Sequence, residues 1–350
     1  MKLKVAIVQI NSILGSPKQN ITKIQNLLSS KLPSSSSSLD LIVLSELAIT
    51  GYNFKSSTHI KPYLESPTNY GTSLNFAKSL SLKYKCFTII GYPEINVEKA
   101  TETIYNSCAV FDRKGELIYN YRKTFLYETD EVWGSSENPN KNFEPIILNF
   151  DNTEDSSSSK LDNNLNKSII SNIGICMDLN PYKFEAPFNK FEFSSSCYNN
   201  RSKLIICPMA WLSPNSPSIK KQEDQESPTL QKLSSEQYQS HLVKEAQEIK
   251  LPNEPNYETI NYWILRFFPF LKHPYSYYPK WFSQNEKINV LICNRIGKED
   301  SIIYGGSSCI LQFNNSHEIE DSIDSSNSSV EVLNPLCQSV EGIIVQDIDL

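Results

Sequence analysis

Three residues of this chain have types and settings suited to breaking an unactivated carbon–nitrogen bond. Cys176 ends the apolar run 169–175 and is followed at once by Met177 and Asp178. A nucleophile at the carboxyl end of a buried strand is where open α/β sheets place their chemistry. Glu46 closes the run 40–45 and precedes Thr50, Gly51 and Tyr52. Lys123 follows the alternating stretch 117–122 and leads into Thr124, Phe125 and Leu126. Taken singly, Cys176 reads equally as a core thiol, and Glu46 and Lys123 as solvated loop charges. Each, however, sits just past its own β-branched or aromatic run, so a sheet with aligned strand ends gathers all three.

Such a trio suits attack on an amide or nitrile carbon. A free cysteine has a pKa near ~8.5 and is mostly thiol at neutral pH, so it needs a neighbouring base or cation. Glu46 is placed to take the thiol proton, pass it to leaving ammonia and then activate the water that cleaves a thioester. Lys123 supplies positive charge to the developing oxyanion, together with the backbone N–H of Met177. The chemistry requires no metal and no cofactor.

With these residues in view, the sequence resembles the nitrilase superfamily of carbon–nitrogen hydrolases, with its Glu, Lys and Cys triad. The resemblance runs from Val5-Ala6-Ile7-Val8-Gln9 to the closing stretch 343–350. Between them come Ser45-Glu46, Tyr121-Arg122-Lys123-Thr124, Gly174-Ile175-Cys176, Asn294-Arg295-Ile296-Gly297 and Gly305-Gly306-Ser307. The resemblance implies a four-layer αββα sandwich. It also implies a second carboxylate eight residues after the lysine, which here is Glu131. Glu128 and Asp130, in the same acidic stretch, are expected to be solvated.

The segments 176–184, 207–212 and 261–270 are similar to the fungal branch acting on protein N-terminal asparagine and glutamine. That likeness implies hydrolysis of the side-chain amide, peptide or protein substrates, and a place in the N-degron pathway. Asp178 stands where many other branches carry arginine. A substrate identified by its free α-ammonium group calls for a carboxylate near the nucleophile, so Asp178 is expected to read that amine, the alternative being a cap on the helix after Cys176. Met177 and Trp211 are expected to contact substrate. A small-molecule amidase or carbamoyl amidohydrolase of the same superfamily is the second reading. A non-enzymatic scaffold is the third, disfavoured by the intact triad.

Composition narrows the classes. The 350 residues carry a formal charge of −6 and a pI near 5.4, with no basic footprint for nucleic acid. The eight cysteines lack paired spacing, and the four histidines lie too far apart for helical ligand pairs, so neither a disulfide framework nor a metal site is expected. Residues 2–10 already read as a first strand and Arg266 interrupts the most hydrophobic later stretch, so no leader or membrane span is expected. The default location is the cytoplasm, with a mitochondrial pool through another start site left open. Oligomeric state is not readable.

Strand patterns are predicted at 5–10, 41–44, 87–90, 104–111, 117–121, 169–176, 204–207, 288–293, 308–313 and 342–348. They alternate with helical stretches at 19–30 and 73–85, an α/β pattern. One carbon–nitrogen hydrolase domain over 1–350 is expected, with polar insertions near 151–167, 213–285 and 316–335. The serine tracts 34–38, 156–159 and 322–329 hold too little apolar surface to pack and are expected to be flexible loops. The aromatic segment 262–270 is expected in the core, at a substrate entrance or in a protein contact.

Overall fold

The structure, a computed structural model, describes residues 1–32, 39–150 and 167–350. Its frame is two six-stranded sheets packed face to face. The first comprises β1 (Lys2–Gln9), β2 (Leu41–Leu44), β3 (Phe87–Glu98), β4 (Thr101–Phe111), β5 (Leu117–Arg122) and β14 (Gly342–Asp349), in the order β14-β1-β2-β3-β4-β5. The second comprises β6 (Ile146–Asn149), β7 (Ser168–Ile173), β8 (Leu204–Pro208), β9 (Ile288–Cys293), β12 (Cys309–Phe313) and β13 (Val330–Leu333), in the order β13-β12-β9-β8-β7-β6. A short hairpin, β10 (Ile296–Glu299) with β11 (Ile302–Gly305), stands apart.

Period-two side-chain alternation sorts the layers. In β1 and β2, Val5, Ile7, Leu41 and Val43 join the core between the sheets, while Ala6, Val8, Ile42 and Leu44 face a separate helix-lined core. The helices are α1 (Pro17–Lys31), α2 (Ser57–Ile60), α3 (Thr72–Tyr84), α4 (Glu128–Val132), α5 (Glu192–Asn199), α6 (Pro228–Gln231), α7 (Ser235–Glu248) and α8 (Tyr257–Arg266). Ile24 and Leu28 of α1 and Leu74, Ala77 and Leu80 of α3 pack on the first sheet. Phe193 and Cys197 of α5 and Ile260, Trp263 and Ile264 of α8 close the core of the second. Helices therefore flank two sheets, the expected αββα arrangement.

Topology lines up the strand ends. β1, β2 and β3 run parallel, as do β7, β8 and β9. Two antiparallel turns, β3 to β4 and β4 to β5, return β5 to the direction of β2. The carboxyl ends of β2 and β5 thus share one edge, the condition for bringing Glu46 and Lys123 together.

Four strands escape the sequence patterns: β6, β10, β11 and β13. Each has only four residues, and β6 is an edge strand with alternate side chains in water, too short a run to stand out. The expected flexible tract at 322–329 is instead tied down: Ser329 donates through N and Oγ to Asn327 Oδ1 at 2.9 and 2.6 Å, and Ser328 N to Glu320 at 3.1 Å. Short polar side chains order such a loop by hydrogen bonding rather than apolar burial. Most of the expected insertion at 151–167, and the tracts 34–38 and 156–159, lie outside the described residues. Within 213–285, Ile260, Trp263, Ile264, Phe267, Phe270 and Leu271 are fully buried.

Candidate active site

The site is built at the strand ends. After β2 the chain turns sharply at Glu46 and Leu47, the latter in the left-handed region at φ 47°. Gly91 on β3 makes room for this turn, since a Cβ there would lie 2.9 Å from Glu46 Cα and 2.8 Å from the Leu47 nitrogen. Cys176 follows β7 with φ 46°, a conformation that L side chains adopt rarely and that recurs at functional turns. Lys123 follows β5, its N–H donating to Asn106 O on β4 at 2.8 Å.

The polar side chains then converge. Lys123 Nζ donates to Glu46 Oε1 at 2.8 Å and to Asp130 Oδ2 at 2.6 Å, with all three residues fully buried. Asn106 Nδ2 bridges the two carboxylates, at 2.7 Å from Glu46 Oε1 and 2.9 Å from Asp130 Oδ1. The second oxygen of Glu46 accepts the Ala210 N–H at 2.8 Å, just past β8. An ammonium has three protons, so Lys123 keeps one beyond its two ion pairs.

Electrostatics follow from this enclosure. Burial raises the pKa of Glu46, with Lys123 opposing the rise and Asp130 adding to it. Burial works against a charged Lys123, yet Asp130, Glu46 and the Cys176 sulfur outweigh it and hold the ammonium form. Burial pushes the Cys176 thiol well above its ordinary range, as does the Glu46 charge, while Lys123 and the Ala210 N–H favour the thiolate. Enclosure thus favours the protonated thiol of Cys176, while its carboxylate partners hold Lys123 as an ammonium.

Two expected roles change. Glu131 is exposed on α4, whereas Asp130, expected to be solvated, is the carboxylate beside Lys123. The reason is local: Asp130 is the third residue of a short helix, and its Oδ2 also accepts the Tyr127 N–H at 2.9 Å. That capping geometry turns it inward and Glu131 outward, and an acid at the third helical position was the signal available. Asp178 does not line the cavity beside Cys176. It is fully buried, with Oδ1 accepting from Thr124 N (3.0 Å) and Phe125 N (2.7 Å), and Oδ2 from Ile175 N (2.7 Å) and Tyr121 Oη (2.8 Å). Four donors saturate the carboxylate, leaving no acceptor for a substrate amine. Asp178 instead ties the Cys176 turn to the segment that follows Lys123.

Beside the nucleophile opens a cavity of about 380 Å³. Cys176, Met177 and Trp211 line it as expected from the sequence, joined by Tyr52, Tyr127, Asn180, Ala210 and Tyr262. Tyr262 donates to Asn180 Oδ1 at 2.7 Å and its ring lies 5.7 Å from that of Trp211. The aromatic segment 262–270 therefore serves both core and cavity wall. The Tyr52 loop is fixed from the β10–β11 hairpin: Glu299 accepts the N–H groups of Tyr52 (3.3 Å) and Asn53 (2.8 Å) and pairs with Arg295 at 2.8 Å.

Comparison with known proteins bears on this geometry. The carbon–nitrogen hydrolase family model matches residues 4–149. The chain is 33% identical to "Protein N-terminal amidase" of Saccharomyces cerevisiae, over 99% of this chain and 95% of that one. This chain belongs to the carbon–nitrogen hydrolases. Two solved structures resemble this hydrolase with TM-scores of 0.80 and 32% identity, each covering 99% of it and 97% of the other chain: N-terminal amidase with a Gln-Val peptide, and the same enzyme with an Asn-Glu peptide. Among the described residues of this hydrolase, no helix is long and apolar enough to cross a membrane.

Proposed function

We propose that this hydrolase is an N-terminal amidase, converting Asn or Gln at the first position of a peptide or protein to Asp or Glu with release of ammonia. The full-length match to a protein solved with Gln-first and Asn-first peptides carries the reading. The cavity adds support, since Cys176 lines a recess walled largely by aromatic residues and open to solvent.

In the mechanism, Glu46 accepts the Cys176 proton as sulfur attacks the side-chain amide carbon. The third proton of Lys123 and the Met177 N–H stabilise the oxyanion. Glu46 returns the proton to nitrogen, the carbon–nitrogen bond breaks and ammonia leaves a thioester. Glu46 then takes a proton from water, whose oxygen attacks the thioester carbon, and gives that proton to the departing Cys176 sulfur, yielding the carboxylic acid and the free thiol. Asp130 keeps Lys123 charged and in place throughout. On this reading the enzyme acts at the deamidation step of the N-degron pathway, which the new acidic terminus then enters.

The test uses three matched peptides, Asn-first, Gln-first, and Asn-first with an acetylated amine, with ammonia release and product mass as readouts. Hydrolysis of the first two with rejection of the third is expected. Rejection of all three by folded protein that cleaves small ω-amides would overturn the reading in favour of a small-molecule amidase.

A further inference from the structure

Saturation of Asp178 leaves the substrate's α-ammonium without the reader expected from the sequence, and the cavity offers another. We propose that Glu258 binds the α-ammonium group and so distinguishes a chain terminus from an internal or blocked residue. This rests on the N-terminal amidase reading.

Glu258 is the one carboxylate among the described residues that line the cavity. Its neighbours there are mostly aromatic or apolar: Tyr52, Tyr127, Trp211, Tyr262, Leu212 and Ile219. The three acids beneath the floor, Glu46, Asp130 and Asp178, are committed to Lys123, Asn106 and backbone N–H groups. The Glu258 side chain, by contrast, has no hydrogen bond or ion pair with a described residue. It is exposed, so it lies where the cavity meets solvent.

The backbone beneath it is rigid. Glu258 sits in the first turn of α8, where Asn256 caps the helix by accepting the Thr259 N–H at 2.9 Å. Thr259, Ile260 and Trp263 anchor that helix in the interior. Tyr262 is four residues on and shares the cavity face with Glu258, as the helical repeat requires.

Substrate chemistry keeps the amine close to the reacting amide, within the cavity that Glu258 also lines. Only three bonds separate the amide carbon of Asn from its α-nitrogen, and Gln adds one methylene. With the amide at Cys176, the Cα lies where the peptide leaves the cavity, and the ammonium shares that Cα. A carboxylate at the mouth, ringed by aromatic faces that also favour a cation, meets that charge for both substrates. A flexible glutamate accommodates the extra methylene better than a fixed acid on the floor.

The experiment compares wild-type protein with Glu258→Gln and Glu258→Asp on Gln-first and Asn-first peptides and their Nα-acetylated forms. For Glu258→Gln, KM is expected to rise about ten- to hundredfold, the effect of losing a hydrogen bond to a charged group. Its kcat should stay within about threefold, and its preference for free over acetylated peptides should collapse by the same factor as KM rises. Glu258→Asp should recover part of that preference. Unchanged KM and preference in Glu258→Gln, with wild type active and selective for free amines, would overturn the Glu258 assignment and leave the amidase reading intact. Equal cleavage of free and acetylated peptides by wild type would instead sink the N-terminal reading itself, and the assignment with it. Glu258 is exposed and the Gln variant keeps its shape, so an unaltered melting temperature is expected to accompany the kinetic change.

Discussion

The floor of the site and its mouth are built on opposite principles. Beneath the floor, Glu46, Lys123, Asp130 and Asp178 are fully buried and held by short hydrogen bonds. At the mouth, Phe184 and Ile219 are 59% and 50% exposed, and the Glu258 side chain has no hydrogen-bond or ion-pair partner among the described residues. Buried charges survive only when paired, so the floor is over-determined and its geometry is fixed before substrate arrives. The mouth carries no such penalty, and its groups remain available for binding. Changes on the floor should therefore act on kcat and stability, and changes at the mouth on KM.

The largest break in this contrast is Cys176→Ala. Loss of the nucleophile should lower kcat by roughly four orders of magnitude or more while peptide binding persists, measurable by ammonia release alongside calorimetric titration. Next is Asp130→Asn, which strips one carboxylate from a buried ion pair. We expect a ten- to hundredfold loss of kcat, roughly, and a lower melting temperature. Glu131→Gln, one residue on, serves as its control.

Asp178→Asn sharpens the comparison further, because it lies under the floor without touching the cavity. Putting an amide NH₂ among four donors leaves buried N–H or O–H groups unmatched, at about 1 to 3 kcal/mol each. Thermal unfolding should register that loss, and kcat should fall with the displaced Cys176 turn. The preference for free over acetylated peptides should not change; if it collapses, Asp178 is a reader after all.

The pH profile is a finer probe. Glu46 must be ionised to accept the thiol proton, and burial raises its pKa above the ordinary 4.5. Activity is therefore expected to be lost on acidification with a midpoint above pH 4.5, and to return as Glu46 deprotonates. A midpoint below 4.5 in kcat/KM would contradict Glu46 as the base. The smallest expected effect belongs to Glu131→Gln, whose exposed side chain should leave kcat and KM within about twofold of wild type.

Legibility differed between these regions. Apolar runs followed by a single reactive residue exposed Glu46, Lys123 and Cys176 in the bare chain, because a strand end needs only its own residues to be recognised. Helices 17–31 and 72–84 were legible for the same local reason, with period-3.6 burial along one face. Asp130 and Glu131 are adjacent in an acidic stretch, and which one faces Lys123 depends on the phase of a five-residue helix set by the Tyr127 cap. Glu258 sits in a polar stretch like any solvated glutamate until α8 docks on the second sheet.

What this sequence determined by itself was the α/β class, the three chemical groups and the strand ends that carry them, since hydrophobic periodicity and residue chemistry are properties of neighbours along the chain. What only the tertiary structure decided was how acids separated in sequence divide their work. Asp130 went to the lysine, Asp178 to four donors and Glu258 to the cavity mouth. That division depends on burial and on the supply of hydrogen-bond donors from distant strands, and both exist only once the chain has folded.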